Sequence, residues 1–172
     1  MTPTVDTSSS TASAATHGAQ RLEYFKVAPA ALQAQLAMER QVRSSGLEHS
    51  LLELVKIRAS YMNGCAYCID MHTKDARVAG ETEQRIYAVP VWRETPFFTA
   101  RERAALAFTE AVTAIGVDGV PDDGYEETRR RFSETELVNL TMAVIVINGW
   151  NRLAVTFRTP PGSYEPSAAK RG

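Results

Sequence analysis

The chain has 172 residues, 44% of them hydrophobic and 23% charged, with a formal net charge of -1 at pH 7. That length suits a single core, the composition is that of an ordinary globular domain, and near-neutrality excludes a global field that would draw nucleic acid or an anionic membrane surface. The longest apolar run, LTMAVIVINGW from Leu140 to Trp150, is about half the length of a membrane span, so it is expected as a core or interface helix.

Residues 1–20, MTPTVDTSSSTASAATHGAQ, are rich in Ser, Thr and Ala and lack the charged-then-apolar order of a signal peptide. They are expected as a disordered tail, and the protein as cytoplasmic. In a reducing compartment a close cysteine pair is more often catalytic or metal-binding than a structural staple.

From there the periodicity is helical. APAALQAQLAMERQVRSSG spaces Leu32, Leu36 and Val42 for one apolar face and stops at Gly46. LEHSLLELVKIRASYMNG repeats the pattern and ends at Asn63 and Gly64, a left-handed C-cap signal. A third helix is expected from near Cys65 to Gly80, and a short one over ETEQRIYAV, halted at Pro90. Thr99 with Glu102, and Ser133 with Glu136, are capping boxes that open two more helices, the second running roughly from Glu134 to Phe157. Between them PDDGYEETRRRF is a short polar helix whose arginines form either a solvated face or salt bridges to Glu126 and Glu127 rather than a phosphate site. Trp92, Phe97 and Phe98 either pin a loop or line an entrance. Asn148, Trp150, Asn151 and Arg152 interrupt the last helix and imply a subunit contact or a buried hydrogen-bond network. The fold class expected is all-α, about seven helices with a CxxC at the start of a central one, in a single domain over 21–160 followed by a tail over 161–172.

Both cysteines and one of the three histidines fall in GCAYCIDMH, residues 64–72. A metal clasp, a redox dithiol or a buried helix start would each use such a stretch. Cys65 sits at a helix N-terminus, where free N–H groups favour a thiolate. Cys68 lies one turn on, within disulfide reach, and His72 lies four residues beyond Cys68 on the same face, placed to exchange a thiol proton. If Gly64 turns the chain into an antiparallel hairpin, Glu53 is roughly 15 Å down one helix and His72 roughly 10 Å down the other, nearly level. Glu53 interrupts an apolar run and needs a partner if buried; on its own it would pass for one more surface glutamate.

Structural zinc usually takes a second close ligand pair, and neither His17 nor His49 stands near another cysteine, so no metal is expected. Buried inert cysteines would be the default for scattered residues; four residues at shared spacing lower that reading.

Glu53 followed by CAYCIDMH resembles the E-x11-C-x2-C-x3-H signature of the AhpD-like alkylhydroperoxidases of the carboxymuconolactone decarboxylase family, and the resemblance runs from about Leu22 to Gly162. It implies an AhpD-like helical domain, assembly into homotrimers or homohexamers, and thiol-dependent reduction of hydroperoxides by an external dithiol or thioredoxin-like donor. It further implies Cys65 and Cys68 as the redox pair, Cys68 being the sulfur that meets peroxide, and Glu53 and His72 as the proton relay. Tyr67 stands where those proteins carry a further histidine, which bears on rate and substrate more than on the chemistry. Neither cofactor, nucleic acid nor membrane is implied. A redox sensor without turnover is the alternative; lactone decarboxylation, which does not use a CxxC, is a weaker one.

Overall fold

The computed structural model describes residues 18–166. Most of the N-terminal tail expected over 1–20, and the last six residues, lie outside them. The elements are α1 (Tyr24–Val27), α2 (Pro29–Arg43), α3 (His49–Met62), α4 (Ala66–Val78), α5 (Glu83–Ala88), a 3-10 stretch (Val89–Glu94), α6 (Ala100–Thr113), α7 (Asp122–Arg129) and α8 (Glu134–Phe157). Among the described residues there is no strand. The single-turn α1 is the element that periodicity passed over, since four residues are too few to show a 3.6-residue repeat.

Local chemistry sets the boundaries. Pro29 opens α2, where its missing N–H costs nothing. Both expected capping boxes form, Thr99 with Glu102 and Ser133 with Glu136. At the end of α3 the Cys65 N–H bonds the Ser60 carbonyl at 3.0 Å and the Gly64 N–H bonds that of Tyr61 at 3.3 Å. This is a Schellman closure around Gly64, whose φ of 64° is left-handed. It folds α4 straight back along α3.

α3 is the centre of the molecule. It packs on α4, α6 and α8, so Leu51 through Ile57 are buried on every side of the helix, Glu53 and Lys56 included. Leu52, Val55, Phe108, Leu140 and Val144 form one apolar cluster; Leu54, Ile57, Val89, Trp92, Phe98 and Leu106 form another. Trp92 and Phe98 thus pin the loop to the core. α8 has the length and composition of a membrane span, with 44% of its most apolar window buried inside the protein; Leu140, Ala143, Val144, Val146 and Ile147 face the core. The arginines of α7 and the turn after it pair with Glu126 and Glu127.

The polar residues of α8 build a buried network. Asn63 donates to the Oδ1 atoms of Asn148 and Asn151, both at 2.9 Å, and Asn151, itself fully buried, donates to Ser60 Oγ at 3.0 Å. It ties the α3–α4 turn to α8. Asn151→Ala leaves Asn63 and Ser60 short of partners, so urea unfolding should show a loss of about 2–4 kcal/mol. An unchanged denaturation midpoint would mean that the network is not holding the turn.

Candidate active site

Cys65 is the N-cap of α4, and its sulfur accepts the Cys68 N–H at 3.2 Å. The two cysteines form a disulfide with Cα atoms 5.3 Å apart, within the ordinary span for that bond. Both are 1% exposed. The hairpin brings Glu53 level with His72, and a hydrogen bond of 2.8 Å joins His72 Nδ1 to Glu53 Oε2.

Glu53 is 1% exposed. Burial alone would raise its pKa, but the His72 imidazole, through charge and hydrogen bond, and then Lys56 and Arg43 outweigh it and lower the value from 4.5 to about 2. The carboxylate is therefore ionised and can only accept, which makes His72 Nδ1 the donor. In the neutral imidazole Nε2 then carries the free lone pair, and this atom is buried without a hydrogen-bond partner among the described residues. A histidine so arranged can act as a base oriented by a carboxylate.

Five residues join this site that spacing alone did not single out. Lys56, fully buried, is ion-paired with Glu39, whose pKa burial would raise and Lys56 lowers on balance. Arg43, at the end of α2, places Nη2 3.9 Å from Glu53 Oε1 and 3.9 Å from Asp75 Oδ2. Asp75 also accepts the Tyr164 hydroxyl at 2.8 Å. Some signal was present: Asp75 follows His72 by one helical turn, and Lys56 follows Glu53 by one. Arg43 and Tyr164 are brought in by tertiary packing.

Residues 161–166, which the sequence marks only as a tail, lie along α4. Gly162 N–H bonds Asp70 at 3.0 Å and Lys74 bonds the Tyr164 carbonyl at 2.9 Å. Tyr164 thereby becomes a wall of a cavity of about 240 Å³. That cavity is lined by Cys68 and His72, by Glu39, Arg43 and Asp75, and by an apolar and aromatic wall that includes Tyr24, Phe25, Tyr67 and Trp150. Tyr67 is half-buried; burial, then Tyr24 and Asp70, raise its pKa, so its hydroxyl stays neutral. Cys65 does not line this cavity but a second one.

Glu53, His72 and Asp75 offer ligand atoms within 4.8 Å of one another. A cation there is disfavoured, because the Arg43 guanidinium already places positive charge beside both carboxylates and Lys56 adds more near Glu53. His49, given no role on sequence grounds, starts α3 with its Nδ1 4.0 Å from Glu53 Oε1.

Residues 29–111 match the model of the carboxymuconolactone decarboxylase family. The chain is 43% identical over 136 residues to protein YdfG of Bacillus subtilis (strain 168), covering 79% of this chain and 92% of that one. An all-α fold wound round a CxxC hairpin, with these matches, defines the class: the chain belongs to the carboxymuconolactone decarboxylase family. Its structure superposes with a TM-score of 0.82 and 47% identity on a protein from Agrobacterium tumefaciens proposed as an antioxidant defence protein AhpD, over 85% of this chain and all of that one. Within the family it is an AhpD-like protein. The debrominase Bmp8 shares the fold, with a TM-score of 0.72 at 18% identity over 81% of this chain and 75% of that one.

Proposed function

We propose that the protein is a thiol-dependent hydroperoxide reductase in which Cys68 meets the substrate. One observation supports this assignment above the others: Cys68 and His72 line the same cavity, whereas Cys65 lines a different one. In the reduced protein His72 Nε2 takes the Cys68 proton, with Glu53 holding the resulting imidazolium. The Cys68 thiolate attacks the distal oxygen of ROOH, the O–O bond breaks, Cys68 becomes a sulfenic acid, and the departing RO⁻ takes the proton from His72 to leave as ROH. The Cys65 thiolate then attacks the Cys68 sulfur, expelling hydroxide, which leaves as water once protonated, and closes the disulfide. An external dithiol or thioredoxin-like donor restores both thiols and is itself oxidised.

Helix α4 supports the second step, since the Cys68 N–H is already aimed at the Cys65 sulfur and stabilises it as a thiolate. The family likeness supports assembly into trimers or hexamers and a cytoplasmic setting. Val138 and Ile145, exposed on one face of α8, suit a face covered in such an assembly.

The test is peroxide consumption with excess dithiothreitol, using hydrogen peroxide and an alkyl hydroperoxide. Many turnovers per subunit are expected. A single oxidation per subunit would make the protein a redox sensor instead, and no oxidation of the reduced pair would end the thiol-peroxidase reading.

A further inference from the structure

The disulfide has a second face. A separate cavity of about 330 Å³ is lined by Cys65 with Arg21, Gly64, Ala66, Tyr67, Ala154, Val155, Arg158 and Thr159. Tyr67 and Ala154 line both cavities and so form the partition between them. The two chambers differ in charge. The Cys68 side holds Glu39, Asp75 and Arg43; the Cys65 side holds two arginines and, among the described residues, no carboxylate.

Neither arginine is ion-paired among the described residues: Arg21 Nη1 donates to the Thr156 carbonyl at 3.0 Å, and Arg158 forms no side-chain bond there. Arg158 is the C-cap of α8 with a φ of 53°, and its guanidinium lies against Gly18. Two cations with no ion-pair partner among the described residues, lining the same cavity as a buried sulfur, suit an anion bound in that cavity.

We propose that this cavity is the reductant site, and that it takes a small thiol carrying a carboxylate. The inference rests on the thiol-peroxidase cycle above and places its reductive half in a separate chamber, with two small thiols in place of the dithiol or thioredoxin-like donor. The donor's carboxylate pairs with Arg21 and Arg158 while its thiolate attacks the Cys65 sulfur. The Cys65–Cys68 bond breaks, a donor–Cys65 disulfide forms, and the electron pair leaves on Cys68, into the chamber where His72 supplies or holds the proton. A second donor thiolate then attacks the donor sulfur of the mixed disulfide, the oxidised donor dimer departs, and Cys65 leaves as a thiolate facing the Cys68 N–H. Two donor thiols are oxidised and two protein thiols regenerated. Because attack falls on Cys65, the cycle returns Cys68 as a thiolate already facing the peroxide chamber, and the donor never competes with peroxide for one pocket.

The test measures reduction of the preformed disulfide by acid quench, alkylation and mass analysis, with 3-mercaptopropionate (anionic), 2-mercaptoethanol (neutral) and cysteamine (cationic). In the wild-type protein the rate with 3-mercaptopropionate should fall as salt rises, relative to that with 2-mercaptoethanol. In the Arg21→Gln, Arg158→Gln double variant, the ratio of the 3-mercaptopropionate rate to the cysteamine rate should fall by about tenfold. A merely structural role would move all three donors together. Equal changes for the three thiols, or no salt dependence, would overturn the anionic-donor site and leave the peroxidase reading standing. A wild-type disulfide that dithiothreitol reduces but none of the three does would overturn the small-thiol site and leave the peroxidase reading standing; one that dithiothreitol also leaves intact would sink both.

Discussion

On the proposed cycle, Cys68→Ser should abolish turnover of hydroperoxide with a dithiol reductant, by at least ~10³-fold, because it would remove the nucleophile itself. Cys65→Ser has a different outcome. The Cys68 sulfur still stands in the cavity beside His72, so one peroxide is consumed per subunit and a sulfenic acid accumulates that a dimedone label should capture. Without the partner thiol that acid cannot condense to the disulfide, and multiple turnover with dithiothreitol falls by about 10²-fold or more. The asymmetry is the informative result. If instead Cys65 took the label in the Cys68→Ser protein and Cys68 remained unmodified in the Cys65→Ser protein, the assignment of the two sulfurs would be reversed.

His72→Ala removes the base, and kcat/KM for the peroxide at neutral pH should fall by about 10²–10⁴-fold. At high pH, where hydroxide ionises the thiol directly, the gap to wild type should narrow. Glu53→Gln keeps an acceptor for the Nδ1–H but removes its charge, so a smaller loss of about 10-fold or more is expected.

Stability reports on the same carboxylate independently. The folded-state pKa of Glu53 is about 2 against an ordinary 4.5. Its ionised form therefore stabilises the fold above about pH 4.5, and this contribution is lost as pH falls from there through about 2. The difference corresponds to on the order of 3 kcal/mol. Other paired carboxylates such as Glu39 and Glu102 also lose stabilisation in acid, so the comparison with Glu53→Gln is what isolates this one. Between pH 5 and 2 the urea midpoint of wild type should drop more steeply than that of the variant. Parallel lines would show that Glu53 is not held ionised by its neighbours.

Helix boundaries were legible because they are local chemistry. The Thr99 and Ser133 capping boxes and the Gly64 stop each act within a few residues of themselves, and each operates as its spacing implies. The Cys65, Cys68 and His72 arrangement was legible for the same reason, since one turn of α4 sets it. Glu53 was reachable because a tight turn at Gly64 makes two helices antiparallel, and their common rise then fixes which residues are level.

Arg43 and Tyr164 were not reachable in that way. Arg43 arrives at the end of a helix whose docking depends on how α2 packs on α8, and Tyr164 arrives because residues 161–166 find Asp70, Lys74 and the buried Asp75 along α4. No periodicity records either event. The division of the disulfide between two chambers is likewise a property of the assembled core, because Tyr67 and Ala154 become a partition only once α4 lies against α8. The sequence by itself determined every α-helix but the single-turn α1, the two capping boxes and the spacing of the cysteine pair with His72, all being short-range interactions along one chain. Tertiary structure alone decided which sulfur faces which cavity and which charges stand beside it, since those depend on packing between segments far apart in the chain.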